Sequence, residues 1–153
     1  MVSEMKIEDE IQQTKPFRND RHRAMVNLIF THNWMVDQLK ERIKPYGITM
    51  QQYNVLRVLR GAGEPISTSV IRERLLDKMA DTSRMVHRLS EKGLVQRSEC
   101  KQDKRLVDIS LTEDGHQLLK ELDHLDRDLD SICNNLTERE AAKLSILLDQ
   151  LRG

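Results

Sequence analysis

Apolar residues recur at helical spacing over most of the chain. From about Arg18 they fall at Met25, Leu28, Ile29, Met35, Val36, Leu39 and Ile43. These three- and four-residue steps predict one long amphipathic helix, stopped by Pro45 and Gly47. His32 falls on its apolar face, the position of a hydrogen-bonded core histidine. Thr49 with Gln52 three residues on is a capping box for a second helix, which buries Tyr53, Leu56 and Leu59 and ends at Gly61 and Gly63. Ser67 is an N-cap for a short helix with Ile71 and Leu75 inward. The next helix, from about Asp77 to Lys92, buries Met79, Thr82, Val86 and Leu89 with Met85 at the margin, and Gly93 stops it. Before about Lys15 there is no periodicity, and the pattern predicts a loose tail.

The period then changes from helical to alternating. Leu94 to Arg97 and Leu106 to Leu111 read as an antiparallel pair, with Val107, Ile109 and Leu111 on one side and Asp108 and Ser110 on the other. Their tip is Lys101-Gln102-Asp103-Lys104-Arg105. Thr112 is the cap of a further helical stretch, in which Leu118, Leu122, Leu125, Leu129, Ile132 and Leu136 form the seam of a long coiled-coil-like helix. Thr137 and Glu140 open a last helix with Leu144, Leu147, Leu148 and Leu151 inward.

Helix, helix and two-stranded ribbon in that order predict a mainly α fold with a small β-wing, a winged helix-turn-helix. It spans 49–112, with the recognition helix at about 78–92 and the wing at about 94–111. The flanking segments, 18–44 and 113–153, carry more apolar surface than this unit needs to cover itself. They are expected to be dimerisation helices of a homodimer, all within one domain of residues 1–153.

Composition sharpens this picture. Aromatics make up 3% of the chain and charged residues 33%, so the core is aliphatic and the fold helical. No apolar run is long enough for a membrane span, and no secretory signal pattern opens the chain. Two cysteines, Cys100 and Cys133, make no disulfide framework, and the expected location is the cytoplasm. The net charge of zero hides a segregation: ten bases face six acids between Pro65 and Val107, whereas ten acids face five bases from Glu113 onward. A basic middle is the electrostatic footprint of a nucleic-acid reader, here of double-stranded DNA.

The outward face of the predicted recognition helix carries Ser83, Arg84, His87 and Arg88. Arg84 and Arg88 lie one turn apart and pair well with guanine edges or phosphates. Asp81 repels phosphate unless it accepts a proton from cytosine or caps the helix. In the wing, Lys101 and Lys104 suit phosphates and Arg105 suits the narrow minor groove, with Asp103 placed to orient its guanidinium. Arg72 and Arg74 are further phosphate candidates. An ordinary solvated helix face and a solvated hairpin tip are the plainer readings of the same residues.

Other chemistry is weaker. His22, His32, His87, His116 and His124 are scattered, and Lys120 stands between the closest two, so no metal site is expected. There is no Gly-rich phosphate loop, nucleophile elbow or convincing carboxylate pair, so neither an enzyme nor a cofactor is expected. Cys100 sits among Arg97, Lys101 and Arg105, cations that lower a thiol pKa, which leaves open a redox-sensing regulator. Cys133 lies beside the apolar seam as a packing residue. A helical protein-interaction module with a winged fold is the other alternative.

Two stretches resemble the multiple-antibiotic-resistance regulator (MarR) family of transcription factors. Asp103-Lys104-Arg105-Leu-Val-Asp-Ile-Ser-Leu-Thr-Glu-Asp-Gly115 is similar to the family's D-x-R wing followed by a strand and L-T-x-x-G. Ser83-Arg84-Met-Val-His-Arg88-Leu-Ser-Glu-Lys-Gly93-Leu-Val-Gln-Arg97 is similar to its recognition helix and following strand. The resemblance covers roughly Arg21 to the C-terminus. It implies a homodimeric winged helix-turn-helix on a pseudo-palindromic operator, typically a repressor released by a small-molecule effector. By position, Thr82, Ser83, Arg84 and Arg88 match recognition-helix residues, Arg105 the wing arginine and Asp103 its partner. The implied effector pocket, between dimerisation helices and reading unit, would be lined by His32, Trp34 and Tyr53. The chain departs from the family at Ile71-Arg72, where Leu-Ala is common, and at Asp77-Lys-Met-Ala-Asp81, where Val-Ser-Pro is usual.

Overall fold

Proline, glycine and capping side chains punctuate the helices of the computed structural model, which describes residues 5–100, 103 and 107–153. Backbone contacts divide the chain into two units, one ending at Gln38 and one spanning Leu39–Gly153.

The first unit holds α1 (Ile7–Glu10) and most of α2 (Asp20–Ile43), the 24-residue helix that crosses the division. The N-terminal segment is not the loose tail its sequence predicts. Ile7 is buried, and Glu8 pairs with Arg23 of α2 at 2.8 Å. Phe17 stands edge-on to His22, with ring centroids 5.3 Å apart. Among the described residues, most apolar positions of α2 stay outside a core, and only Ile43 at its end is buried. Met25, Leu28, Ile29, Trp34 and Val36 are all exposed, as is His32, which is therefore not a core histidine.

The second unit starts at the end of α2. Ile43 is fully buried, a 3-10 turn covers Lys44–Tyr46, and Gly47 takes a left-handed φ of 69° that breaks the helix. α3 (Met50–Ala62) opens on the Thr49–Gln52 capping box: each residue's side chain accepts the other's backbone N–H, at 3.0 and 3.1 Å. That exchange satisfies Gln52, which is buried. Tyr53, Leu56 and Leu59 face inward, joined by Val55.

β1 (Ile66–Ser67) is a strand the sequence pattern does not reveal. It pairs antiparallel with β3 (Val107–Leu111), Ile66 opposite Ile109, and β3 pairs in turn with β2 (Val95–Glu99). The sheet order is β1-β3-β2. Alternation along β3 holds: Ile109 and Leu111 are buried, while Val107, nearest the tip, is exposed.

α4 (Thr68–Arg74) is capped by Ser67, whose hydroxyl accepts the Val70 amide, and it stops where Leu75 becomes extended. α5 (Thr82–Glu91) comes next and stands against α3, α4 and β2. It begins later than the apolar pattern predicts. The Asp77 carboxylate takes the Met79 amide at 2.9 Å, a local turn that competes with helix, and Asp81 caps the helix by accepting the Arg84 amide at 3.1 Å. Met79, expected in the core, is 92% exposed, and Met85, expected at the margin, is buried.

The predicted coiled-coil-like helix is a broken one. α6 (Glu113–Leu122) passes through a 3-10 turn at Asp123–Leu125 into α7 (Asp126–Asp130), then another 3-10 turn at Ser131–Cys133. Leu119, Leu122 and Leu125 are buried, Leu129 and Ile132 half-buried, and Leu136 exposed, so the seam leaves the core as it proceeds. Cys133 is exposed rather than packed. Arg60 of α3 holds the first 3-10 turn through Asp123 at 2.7 Å, and Tyr46 hydrogen-bonds His124 at 3.1 Å. α8 (Glu138–Arg152) opens on the Thr137–Glu140 box and buries none of its residues, with Leu144, Ile146, Leu147 and Leu151 exposed. No helix among the described residues is long and apolar enough to cross a membrane.

Candidate nucleic-acid interface

One face of α5 is sunk into the core and the other is open, because the sequence alternates at 3.6-residue spacing. Thr82, Met85, Val86 and Leu89 are buried, while Ser83, Arg84, His87 and Arg88 are exposed. Four polar side chains thus share one surface of a helix fixed from below by α3 and α4.

Thr82 is a correction to the expected reading set. It is 1% exposed and its hydroxyl, without a partner among the described residues, is buried at the first turn of the helix, out of reach of a base edge. Asp81 is a cap, so its charge is directed to the helix N-terminus rather than to the reading surface.

Neither Arg84 nor Arg88 has an acidic partner within salt-bridge distance among the described residues. Both guanidinium groups therefore keep their donor forks for an external acceptor. His87 lies 3.5 Å from Glu91 one turn on, an ion pair only when the imidazole is protonated.

Beside this face is a cleft of about 200 Å³ lined by Thr68 at the start of α4, Ser83 and Val86 of α5, Arg97 of β2, and Val107 and Ile109 of β3. The fold joins there four elements that the sequence presents separately. Sequence reasoning assigns Thr68 no role and notes Arg97 only as a cation near Cys100 and as the end of the stretch after the recognition helix; the fold brings both to this cleft.

Lys101, Lys104 and Arg105 lie outside the described residues. Asp103 is described and has a partner. Cys100 comes directly after β2 and is half-buried.

Of the three expected effector contacts, Tyr53 is 1% exposed and packs in the core, with the Arg57 guanidinium 5.6 Å over its ring. It therefore offers no ligand a surface in this chain. His32 and Trp34 belong to the other unit, exposed on α2. No group of three or more potential metal ligands occurs among the described residues.

A helix-turn-helix whose second helix presents two arginines outward, closed by a three-stranded wing, defines a winged helix-turn-helix protein. Residues 46–106 match the family model described as MarR family. The chain is 33% identical to the multiple antibiotic resistance protein MarR of Salmonella typhimurium over 77% of its own length and 86% of that protein's. It is 23% identical to the transcriptional regulator PecS of Dickeya dadantii, over 99% and 95%. Among solved structures, a cysteine-to-serine mutant of Escherichia coli MarR complexed with operator DNA superposes with a TM-score of 0.76 at 27% identity, covering 96% of this chain and 99% of that one. The chain belongs to the MarR family and is a DNA-binding transcription regulator.

Proposed function

We propose that two copies of this chain bind a pseudo-palindromic operator and repress transcription until an effector releases them. The observation that carries the reading is the outward face of α5, where Arg84 and Arg88 stand one turn apart without acidic partners among the described residues. On this reading α5 enters the major groove, with Ser83, Arg84, His87 and Arg88 toward base edges and phosphates. Lys101, Lys104 and Arg105 extend contact to the backbone and minor groove, and Asp103 orients the wing arginine. The protein works by binding and catalyses no reaction, and its place is the cytoplasm beside the DNA.

The second copy is supported by the faces of α2 and α8, each with four or more large apolar side chains left open. Such surface on a single chain marks a protein partner, and a twofold dimer presents two reading helices to half-sites roughly 10 base pairs apart. Effector contact remains assigned to His32 and Trp34.

Fluorescence anisotropy with the protein's own upstream DNA and a scrambled duplex tests the reading. Preference for the upstream duplex, a steep loss of affinity with salt and weakening in Arg84→Ala are expected. A chain that binds neither duplex is an interaction module that kept the fold. Wild-type affinity in both Arg84→Ala and Arg88→Ala removes α5 as the reader.

A further inference from the structure

The turn between α4 and α5 holds the most exposed large apolar side chain among the described residues, Met79, at 92%. Water is a costly place for such a side chain, and the backbone around it is not loose. The Met79 amide donates to the Asp77 carboxylate at 2.9 Å, and the Ala80 amide donates to the Asp77 carbonyl at 3.4 Å. Gln51 of α3 donates to the other carboxylate oxygen of Asp77 at 3.5 Å. Ahead of these bonds, the Lys78 ammonium donates to the Glu73 carbonyl and Leu75 is buried. The turn is thus pinned with the Met79 side chain held outside the core. Two residues on, Asp81 caps α5, whose first turn shows Ser83 and Arg84 to the outside. Met79 therefore stands at the entry to the reading helix, the end that meets base edges in a helix-turn-helix.

We propose that Met79 reads thymine, packing its thioether on the C5-methyl group in the major groove of the operator. The side chain carries no charge and no donor, so it gains nothing from a phosphate and little from a polar base edge. The thymine methyl is the apolar group that the major groove displays. An unbranched side chain with three rotatable bonds adapts to it. Arg74 and Lys78 precede Met79 and Arg84 follows it, cations that suit the flanking phosphates and that an apolar protein partner would have to desolvate. Leu76, the other open side chain of the turn, borders Asn54, Arg57 and Val58 of α3 and is not assigned to DNA. Arginine forks select guanine; this contact adds a preference for thymine over cytosine, which lacks the methyl.

The assignment rests on α5 as the operator reader, and the test separates the two. The upstream duplex is prepared twice, with thymine and with deoxyuridine throughout, which keeps base pairing and removes only the methyl groups. Affinity for both is measured with the full chain as wild type, Met79→Ala, Met79→Leu and Arg84→Ala. Wild type is expected to lose about fourfold for each contacted methyl on the deoxyuridine duplex, as burial of one methyl group implies. Met79→Ala is expected to bind the thymine duplex as weakly as wild type binds the other and to lose little further. Met79→Leu keeps most of the preference. Arg84→Ala weakens on both duplexes and keeps the wild-type ratio between them. Salt dependence in Met79→Ala matches wild type, since no phosphate contact is removed, and its melting temperature is unchanged.

Equal wild-type affinity for the two duplexes overturns the assignment. So does a Met79→Ala variant that loses as much as wild type between them, which places the methyl contact at another residue or in DNA shape. A change of oligomeric state in Met79→Ala with the methyl preference intact makes the turn a protein contact instead. A wild type that binds neither duplex defeats the operator-binding role and this assignment with it. Arginine-dependent binding without a methyl preference defeats the assignment alone.

Discussion

The Thr112 hydroxyl donates to the Gly93 carbonyl at 2.6 Å, joining the end of the returning wing strand to the end of the recognition helix. The same oxygen accepts the Gly115 amide at 3.1 Å and so caps α6. One side chain fixes three elements at the base of the wing. Thr112→Ala removes both bonds and is expected to cost about 1–2 kcal/mol of stability, read as a lower urea midpoint at unchanged slope. Thr112→Ser, which keeps the hydroxyl, recovers most of it.

Gly115 is a glycine for a steric reason. A Cβ there would lie 2.2 Å from the Leu94 carbonyl oxygen, so the α6 backbone rests directly on the entry to β2. The obstacle is backbone and cannot swing aside. Gly115→Ala is expected to destabilise by about 1–3 kcal/mol, as overpacking does. Thermal melting checks it, with a fall of several degrees expected.

These two residues illustrate which features a sequence makes legible. The Thr–Gly spacing is visible as a motif, and so is the alternation of β3, because each depends on local spacing. The capping boxes at Thr49 and Thr137 are readable for the same reason. The start of α5 is not: Met79 fits a helical apolar stripe, and only the competing Asp77 and Asp81 carboxylates, with their choice of backbone amides, keep Met79 outside it. β1 escapes notice because two residues carry no period; it exists through its pairing with Ile109 and Asp108. The reading face at Ser83, Arg84, His87 and Arg88 is visible from helical spacing, whereas Thr82 joins it only by family position, and burial removes it.

Two groups shape opposite ends of the stability curve. Hydrogen bonds from the Thr137 backbone and then its side chain hold the Glu140 carboxyl below its ordinary value. A lowered acid contributes stability above its unfolded pKa and loses it as pH falls through the folded value. Thr137→Ala removes the hydroxyl bond and keeps the larger backbone one, so Glu140 is expected to rise only part of the way toward the usual carboxylate range, followed by carboxyl NMR titration. Burial is the main cause raising the Tyr53 phenol, against the nearby Arg57 charge. Its contribution is intact below pH about 10 and declines as pH climbs beyond, so Tyr53→Phe should flatten the alkaline limb.

The open face of α8 gives a test of assembly. Leu147 is 51% exposed in the single chain. Leu147→Asp places a charge on that face and is expected to shift sedimentation from dimer to monomer while the far-UV circular dichroism of the helices persists. Operator affinity should fall by at least tenfold with it, since one reading helix cannot span two half-sites.

A helix with fifteen residues and none buried also ties this regulator to its own abundance. On the dimeric reading, the population able to occupy an operator rises with the square of chain concentration when monomer dominates, so dilution alone acts as a release signal. Where the operator is also far from saturated, halving the dose of this chain then removes about three quarters of its occupancy.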